Sequence, residues 1–525
     1  MSDTADFFRS RLDQMIDLRH PLAVLSSRMP WQELEASVSH LFAKKVRAGK
    51  VLDEADLFGG ISKVVGAGVS PAGRPRLPLR LMISLLYLKH AFNESDEGVV
   101  ERWAETPTWQ YFSGMDYFEH RWPCDPSQLV HLRKALGEEG VEVLLQQTIN
   151  VAITLKLIAK SSLATVIVDS TVQHKAIAYP TDAKMLETAR AKLVDAAKGQ
   201  GIELKQTYAK EGNRLSRQAG RYAHAKQFKR MRHTLKRQRT IVGRLQREIE
   251  RKLTPLAQAA RDTLAGTLAK ARRIFEQTKG KTSKGGSPKL YSWHAPEVHC
   301  FSKGKARTPF EFGTKVGIAV TAKGNFIVGA RAYSGAPFDG HTLHEQIEQA
   351  TILMQDTGEK PTTAVVDLGY RGVDRDNPGL TIIHRGKAKS LGEPERKLIK
   401  RRNAVEPVIG HLKADHRMDR CHLKGEIGDR LHAVLCAAGY NLRWLLRAIA
   451  RKGLGAFFCL LPPELIWAIR RHLAESFLRI SAARAHEWRR LNENEFLRGD
   501  ELSTPLMKRW AKSIFQKSIF FCTSA

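Results

Sequence analysis

Cysteine is scarce in this sequence, with six in 525 residues, at positions 124, 300, 421, 436, 459 and 522. No two are spaced as C-x-x-C and no histidine pair completes a zinc pattern. A disulfide framework and a structural zinc are therefore not expected, and free thiols in a reducing cytosol are. Long apolar runs are missing too. The greasiest stretch, "LHAVLCAAGYNLRWLLRAIA", carries His and Arg and falls short of the about 20 clean apolar residues that a membrane helix needs. The opening "MSDTADFFRSRLDQ" has no apolar signal core. A cytoplasmic chain without a membrane partner is the expectation. Acid is the third shortage: 54 acidic residues face 85 basic ones, for a net charge of +31. Cations spread over most of the chain favour a nucleic-acid polymer over a small acidic substrate, a solvated basic surface being the alternative.

What is present suffices for several cores: 42% of residues are hydrophobic, and the length suits roughly two to four domains. Residues 1–75 mix short helical patterns with "VVGAGVSPAGRPRLP", whose Gly66 and Gly68 lack the strand–turn–helix frame of a phosphate loop and read as a linker. From Leu79 the period is helical, with Ser95 a cap for "DEGVVERWAE". Residues 1–158 thus form a helical N-terminal domain. DNA binding is expected of it, with Arg133 and Lys134, on the helix opening at "DPSQL", as cations for a major groove; a plain scaffold is the alternative. Then the period changes. "ATVIVDST" is a strand, 310–335 a hairpin turning at Lys323-Gly324-Asn325, "DGHTLHEQIEQATILMQDTG" a helix with Asp339 or Thr342 near its cap, and "TTAVVDLGYRG" and "LTIIHRG" are strands. A helix over 393–417 follows. That order, across residues 159–181 and 290–452, is a mixed α/β sheet.

Residues 182–289 interrupt the sheet after its first strand with a basic helical insertion. Phe228, Met231, Leu235, Val242, Leu245 and Ile249 follow a heptad rhythm that skips Gln238, so a helical hairpin or coiled-coil-like arm is expected. Lys229, Arg230, Arg232, Lys236 and Arg237 on its other faces are candidate phosphate contacts, a strut or dimerisation arm being the alternative. Residues 453–525 form a tail with no assigned role.

Three acids stand out. Asp169 closes "ATVIVD", Asp367 closes "TTAVVD", and Glu406 lies in "KRRNAVEPVIGHLKADHR". On a helix, Arg402, Glu406 and Lys413 fall within about 40° of one another, beside an apolar face of Val405, Val408, Ile409 and Leu412. Each acid has a bland reading. Asp169 and Asp367 can cap turns, and Glu406 can complete a capping box with Asn403. Taken together, three carboxylates on adjacent elements can hold two hard divalent cations for phosphodiester chemistry, with Arg402 and Lys413 on nearby phosphates.

In these residues the sequence resembles the DDE transposases of bacterial insertion sequences, most closely the insertion-sequence-five family, over roughly 77–450. "VDST" carries the first acid and "DLGYRG" the second. Arg402, Glu406 and Lys413 match a signature of Arg, three residues, Glu, six residues, Lys. Position 399, where related enzymes often have Tyr, is Ile. Many relatives insert a domain between the second acid and the Glu; here the extra domain follows the first acid. The resemblance implies an RNase H-like catalytic domain, sites for two Mg²⁺ (or Mn²⁺) ions on Asp169, Asp367 and Glu406, and cutting and joining of double-stranded DNA at terminal inverted repeats by a homodimer on paired ends. A catalytically idle DNA-binding regulator and an RNase H-like nuclease that does not join are the alternatives.

Overall fold

The computed structural model describes residues 10–42, 50–56, 59–65, 76–254, 257–280, 289–302 and 309–459. The linker reading of the Gly/Pro stretch and the tail beyond 459 fall mostly or wholly outside them. Among the described residues three helices come first, α1 (Leu12–Met15), α2 (Pro21–Arg28) and α3 (Trp31–Ser39). Two strands follow, β1 (Lys50–Asp56) and β2 (Gly59–Val65), paired antiparallel. This hairpin departs from the all-helical expectation for residues 1–158; "KVLDEAD" and "GGISKVV" are too short and too mixed in polarity for their period to separate strand from helix. Next come α4 (Leu79–Ala91), α5 (Asp96–Glu105), α6 (Pro107–Phe112) and α7 (Ser127–Thr154). Ser95 caps α5, its hydroxyl accepting from Gly98 N–H. Helix α4 is buried from Leu81 to Ala91. It can run through the core because α15 (Gly425–Cys459) approaches it at Gly439, where a Cβ would stand 2.5 Å from the His90 backbone.

The sheet comprises β3 (Thr165–His174), β4 (His299–Ser302), β5 (Phe310–Thr321), β6 (Ile327–Tyr333), β7 (Thr363–Val365) and β8 (Thr381–Ile383), with helix α12 (Asp339–Leu353) between β6 and β7. Strand β5 pairs antiparallel with β3 on one side and with β4 and β6 on the other; β3 then pairs parallel with β7, and β7 with β8. The β5–β6 turn lies at Lys323–Asn325, with Gly324 and Asn325 at positive φ. Buried Asn441 of α15 ties β6 to α7, accepting from Ile327 N–H and donating to Thr148 Oγ1 and the Ile327 carbonyl.

The insertion is a second helical layer with its own core, not a two-helix arm. Helices α8 (Asp182–Gly199), α9 (Ala209–His224), α10 (Phe228–Arg251) and α11 (Gln258–Gln277) enclose Leu186, Leu193, Val242, Leu245, Ile249, Leu264 and Ile274. The heptad stripe fails at its start: Phe228 is 49% exposed, while Ile241, off the stripe, is buried. Gln238, at the skipped position, is buried and donates to the Ala183 carbonyl of α8, so a third helix occupies what a coiled coil leaves open. Where the insertion joins the sheet, buried Lys175 lies 2.9 Å from Glu297 and 2.7 Å from Asp429 of α15.

The helix expected over 393–417 is broken in two. Helix α13 (Glu393–Arg401) gives way to a 3-10 turn at Arg402–Ala404, and α14 (Val405–Asp415) begins just ahead of Pro407, which fits only a first turn or a kink.

Candidate active site

Asp169 is not at a strand end. It lies inside β3, opposite Ile318 of β5, and the strand continues to His174. Strand β7 is shorter. Its last residue, Val365, pairs with Ile167, so the chain leaves the sheet just as Asp367 draws level with Asp169. There Asp367 caps a 3-10 turn, accepting the Gly369 N–H at 2.8 Å. The bland reading of Asp367 as a turn cap is thus satisfied without removing it from the site. Glu406 stands in the first turn of α14, which packs on the sheet through buried Val405, Val408 and Leu412. The Asn403 capping box does not form, Ala404 being the N-cap with no side-chain bond.

The three acids converge on one cation, the Arg402 guanidinium. Its Nη2 donates to Asp169 Oδ2 at 2.8 Å and lies 3.9 Å from Asp367 Oδ2; its Nη1 lies 3.7 Å from Glu406 Oε1. Carboxylates from a strand, a loop and a helix therefore share one point, and a protein cation stands at it. Exposure rises from 13% at Asp169 through 37% at Asp367 to 65% at Glu406, so the group opens outward on the α14 side. Burial pushes the Asp169 carboxyl up; Arg402 and the Ser170 N–H pull it back, and the charges of Asp367 and Asp339 add to the rise. An oxygen-only donor set with a cation already attracted to it fits a hard divalent ion.

Lys413 lies seven residues beyond Glu406, about 10 Å along α14 and on nearly the same face. It borders a cleft of about 470 Å³ lined also by Asn93, Arg417, Arg420 and His422. The other expected contacts divide. Arg133 does not face outward: it is 3% exposed and makes two bonds of 2.7–2.8 Å to Asp96, which also holds Lys89. A guanidinium nearly two turns into an amphipathic helix satisfies a sequence pattern for groove reading and for an internal tie equally well, and here the tie prevails. Its neighbour Lys134 is exposed. On α10, Lys229, Arg230, Arg232 and Lys236 are exposed, whereas Arg237 is engaged by Glu211 at 2.7 and 3.0 Å.

The sequence reading missed Asp339, which it took for a helix cap. Asp339 is the first residue of α12 and binds Ser170 and Lys315 beside the acids. Only its place directly after the hairpin could have flagged it. Elsewhere, among the described residues, buried His90, His432 and Cys436 bring potential ligand atoms within 4.8 Å, a grouping no sequence spacing announced. Burial keeps His432 neutral, down to about 3, and drives His90 the same way; Cys436 Sγ sits 3.7 Å from His90 Nδ1, and Lys89, Arg133 and Arg417 oppose a further cation there.

Residues 10–135 match the family described as Transposase domain (DUF772), and residues 380–446 match Transposase DDE domain. The second match contains Arg402, Glu406 and Lys413; Asp169 and Asp367 lie outside both. The first extends the likeness well before residue 77. A curated relative, "Uncharacterized protein ORF8 in nfe locus" of Rhizobium meliloti, is 41% identical over 223 residues, covering 42% of this chain and 95% of that protein. No solved structure matches. Both matched families are transposase domains, and they define the class of this protein. The chain belongs to the DDE transposases of insertion sequences, a family whose DDE domain implies dependence on a divalent metal and DNA as partner. No helix among the described residues is long and apolar enough to cross a membrane.

Proposed function

We propose that the chain binds the terminal inverted repeats of an insertion sequence, cleaves phosphodiester bonds there and joins the freed ends to target DNA, with Asp169, Asp367 and Glu406 as the catalytic acids. The observation that carries this is the convergence of all three carboxylates on Arg402. Three antiparallel strands, β6, β5 and β3, followed by parallel β7 and β8, support an RNase H-like reading of the domain. Mg²⁺ or Mn²⁺ fits the donor set, and two such ions, when bound, activate the attacking oxygen and steady the leaving one. The residues do the rest. Asp169 sits deepest and fixes the centre to the sheet. Asp367 brings it to the edge, and Glu406 closes it from the helix. Arg402 lies where it would hold a phosphate oxygen if a metal ion took its place among the acids; Lys413 and its cleft are placed to hold the flanking backbone. Each transfer breaks one P–O bond and makes another, first to water and then to a DNA 3′-oxygen. A homodimer on paired ends, and closest kinship with the insertion-sequence-five family, complete the reading.

The test is to incubate purified protein with end DNA, target DNA and Mg²⁺, and to map the products. Asp169→Ala, Asp367→Ala and Glu406→Ala are each expected to abolish cutting while end binding persists, because affinity rests on distributed phosphate contacts. Near-normal cutting by one of the three removes that residue from the site. Binding with no cutting by the wild type favours the idle regulator, and cutting without joining favours the nuclease.

A further inference from the structure

A fourth carboxylate borders the three acids. Asp339 opens α12, and its Oδ1 accepts from Ser170 Oγ at 2.7 Å and from Lys315 Nζ at 2.8 Å. Lys315 also donates to the Pro337 carbonyl at 2.6 Å and is only 11% exposed, so it is pinned in place. Ser170 follows Asp169 in β3, and its N–H donates to Asp169 Oδ1 at 2.8 Å. One residue thus links Asp339 to the deepest acid of the site.

Asp339 is as close to the second acid. A Cβ built on Gly369 would stand 3.0 Å from Asp367 Oδ1 and 3.2 Å from Asp339 Oδ2, so these two oxygens lie no more than about 6 Å apart. A glycine there keeps the space between two carboxylates clear of a side chain. Tyr370, the next residue, is 1% exposed. Its hydroxyl lies near the Asp339 and Asp169 carboxylates and close to Thr342, without hydrogen-bond geometry to a partner.

We infer that Asp339 is a fourth acidic group of this centre and Lys315 its built-in counter-ion, and that the pair sets how strongly the centre attracts a divalent cation. The inference rests on the reading of Asp169, Asp367 and Glu406 as cation ligands. Asp339 is a positioning residue: it acts through its charge and through Ser170. Lys315 cancels much of that charge, which keeps four acids from repelling one another when no cation is present. Loss of the carboxylate leaves a buried ammonium facing the site, and loss of the ammonium removes its counter-charge from the carboxylate. The two changes therefore shift cation affinity in opposite directions, whereas simple loosening of the fold would weaken both variants.

The experiment is calorimetric titration of the full chain with Mn²⁺ in the absence of DNA, with melting temperatures recorded alongside. Asp339→Asn is expected to weaken Mn²⁺ binding about tenfold, and Lys315→Met to strengthen it several-fold, each with a lowered melting temperature but folded at the titration temperature. Unchanged affinity in Asp339→Asn, or weakening in both variants, overturns the inference. If Asp339→Asn does not fold, Lys315→Met decides alone: stronger binding supports the pair, and equal or weaker binding overturns it. Wild type and Asp169→Asn keep the two readings apart. Mn²⁺ binding that is absent in the wild type, or undiminished in Asp169→Asn, removes the three-acid reading and this inference with it. A normal drop in Asp169→Asn beside an unchanged Asp339→Asn overturns the inference alone.

Discussion

Arg402 has two employments that exclude each other. On the acids it is a counter-ion, 2.8 Å from Asp169 and 3.7 Å from Glu406; on DNA it would be a phosphate ligand. Its Nε is buried without a hydrogen-bond partner, so the seat among the carboxylates does not satisfy the whole guanidinium. A divalent cation with more charge on a smaller radius should displace it. Arg402→Gln is therefore expected to raise Mn²⁺ affinity of the DNA-free protein several-fold and yet to slow cleavage, because the phosphate then lacks its fork. Calorimetry and a cleavage time course measure the two sides; a fall in both would show that Arg402 only props the site. Lys413→Ala, acting further along α14, should cost strand transfer about tenfold at low DNA concentration, less than loss of any acid. Wild-type transfer by that variant would make Lys413 an ordinary surface residue.

Elements decide what a residue's address means. Asp367 and Glu406 were legible in sequence because each lies beside an apolar run of clear period, and the Arg-x3-Glu-x6-Lys spacing survives even though the helix is broken at Arg402–Ala404. Asp169 was legible as an acid after a buried run but not as a mid-strand residue, since the pairing of "STVQH" with β5 is a long-range fact. Asp339 was illegible because its partners, Ser170 and Lys315, are brought to it by the sheet. Arg133 shows the reverse error. Helical period located it on α7, but only packing reveals that it binds Asp96 of α5, alongside Lys89 of α4. Burial alone would push the Asp96 carboxyl up, but Arg133 and Lys89 together hold it down to about 2, against 3.8. A depressed acid contributes stability that is full above its unfolded value and fades as pH falls toward the folded one. Here that amounts to about 2 kcal/mol, lost between roughly pH 4 and pH 2. Asp96→Asn should lower the melting temperature at pH 7 and flatten its decline over that acid range, as scanning calorimetry would record. Arg133→Gln should cost about 3 kcal/mol or more by leaving a buried acid half-compensated, and denaturant titration measures it. End-DNA affinity at a temperature where that variant is folded should not change; a large loss would restore Arg133 to the DNA interface.

At the scale of the whole molecule, a net charge of +31 must be placed somewhere, and the insertion takes a large share. Its four-helix core means that α10 needs no partner subunit to cover its apolar face, which weakens the strut and dimerisation readings and leaves the basic face to be explained. The acids nearby are already engaged. Glu211 holds Arg237, Glu248 binds Lys252 and the Lys205 N–H, and Glu250 pairs with Arg272. Lys229, Arg230, Arg232 and Lys236 are exposed, and among the described residues no carboxylate pairs with them. Arg237 drops out of the expected set, because its bidentate bond to Glu211 must break before it can reach a phosphate. We therefore predict that replacing Lys229, Arg230, Arg232 and Lys236 together by Gln makes end-DNA binding less steeply dependent on salt. Each lost phosphate contact removes about 0.9 from the slope of log K against log salt, so a decrease of about 2–4 is expected. Adding Arg237→Gln should change that slope little but lower the melting temperature by freeing Glu211. Metal-dependent cutting at saturating DNA should survive in the fourfold variant, since its substitutions are on α10 of the insertion and the acids on β3, the turn after β7 and α14. An unchanged slope, measured by fluorescence anisotropy from 50 to about 300 mM salt, would leave the insertion as a scaffold and move the DNA path to the cleft beside Lys413.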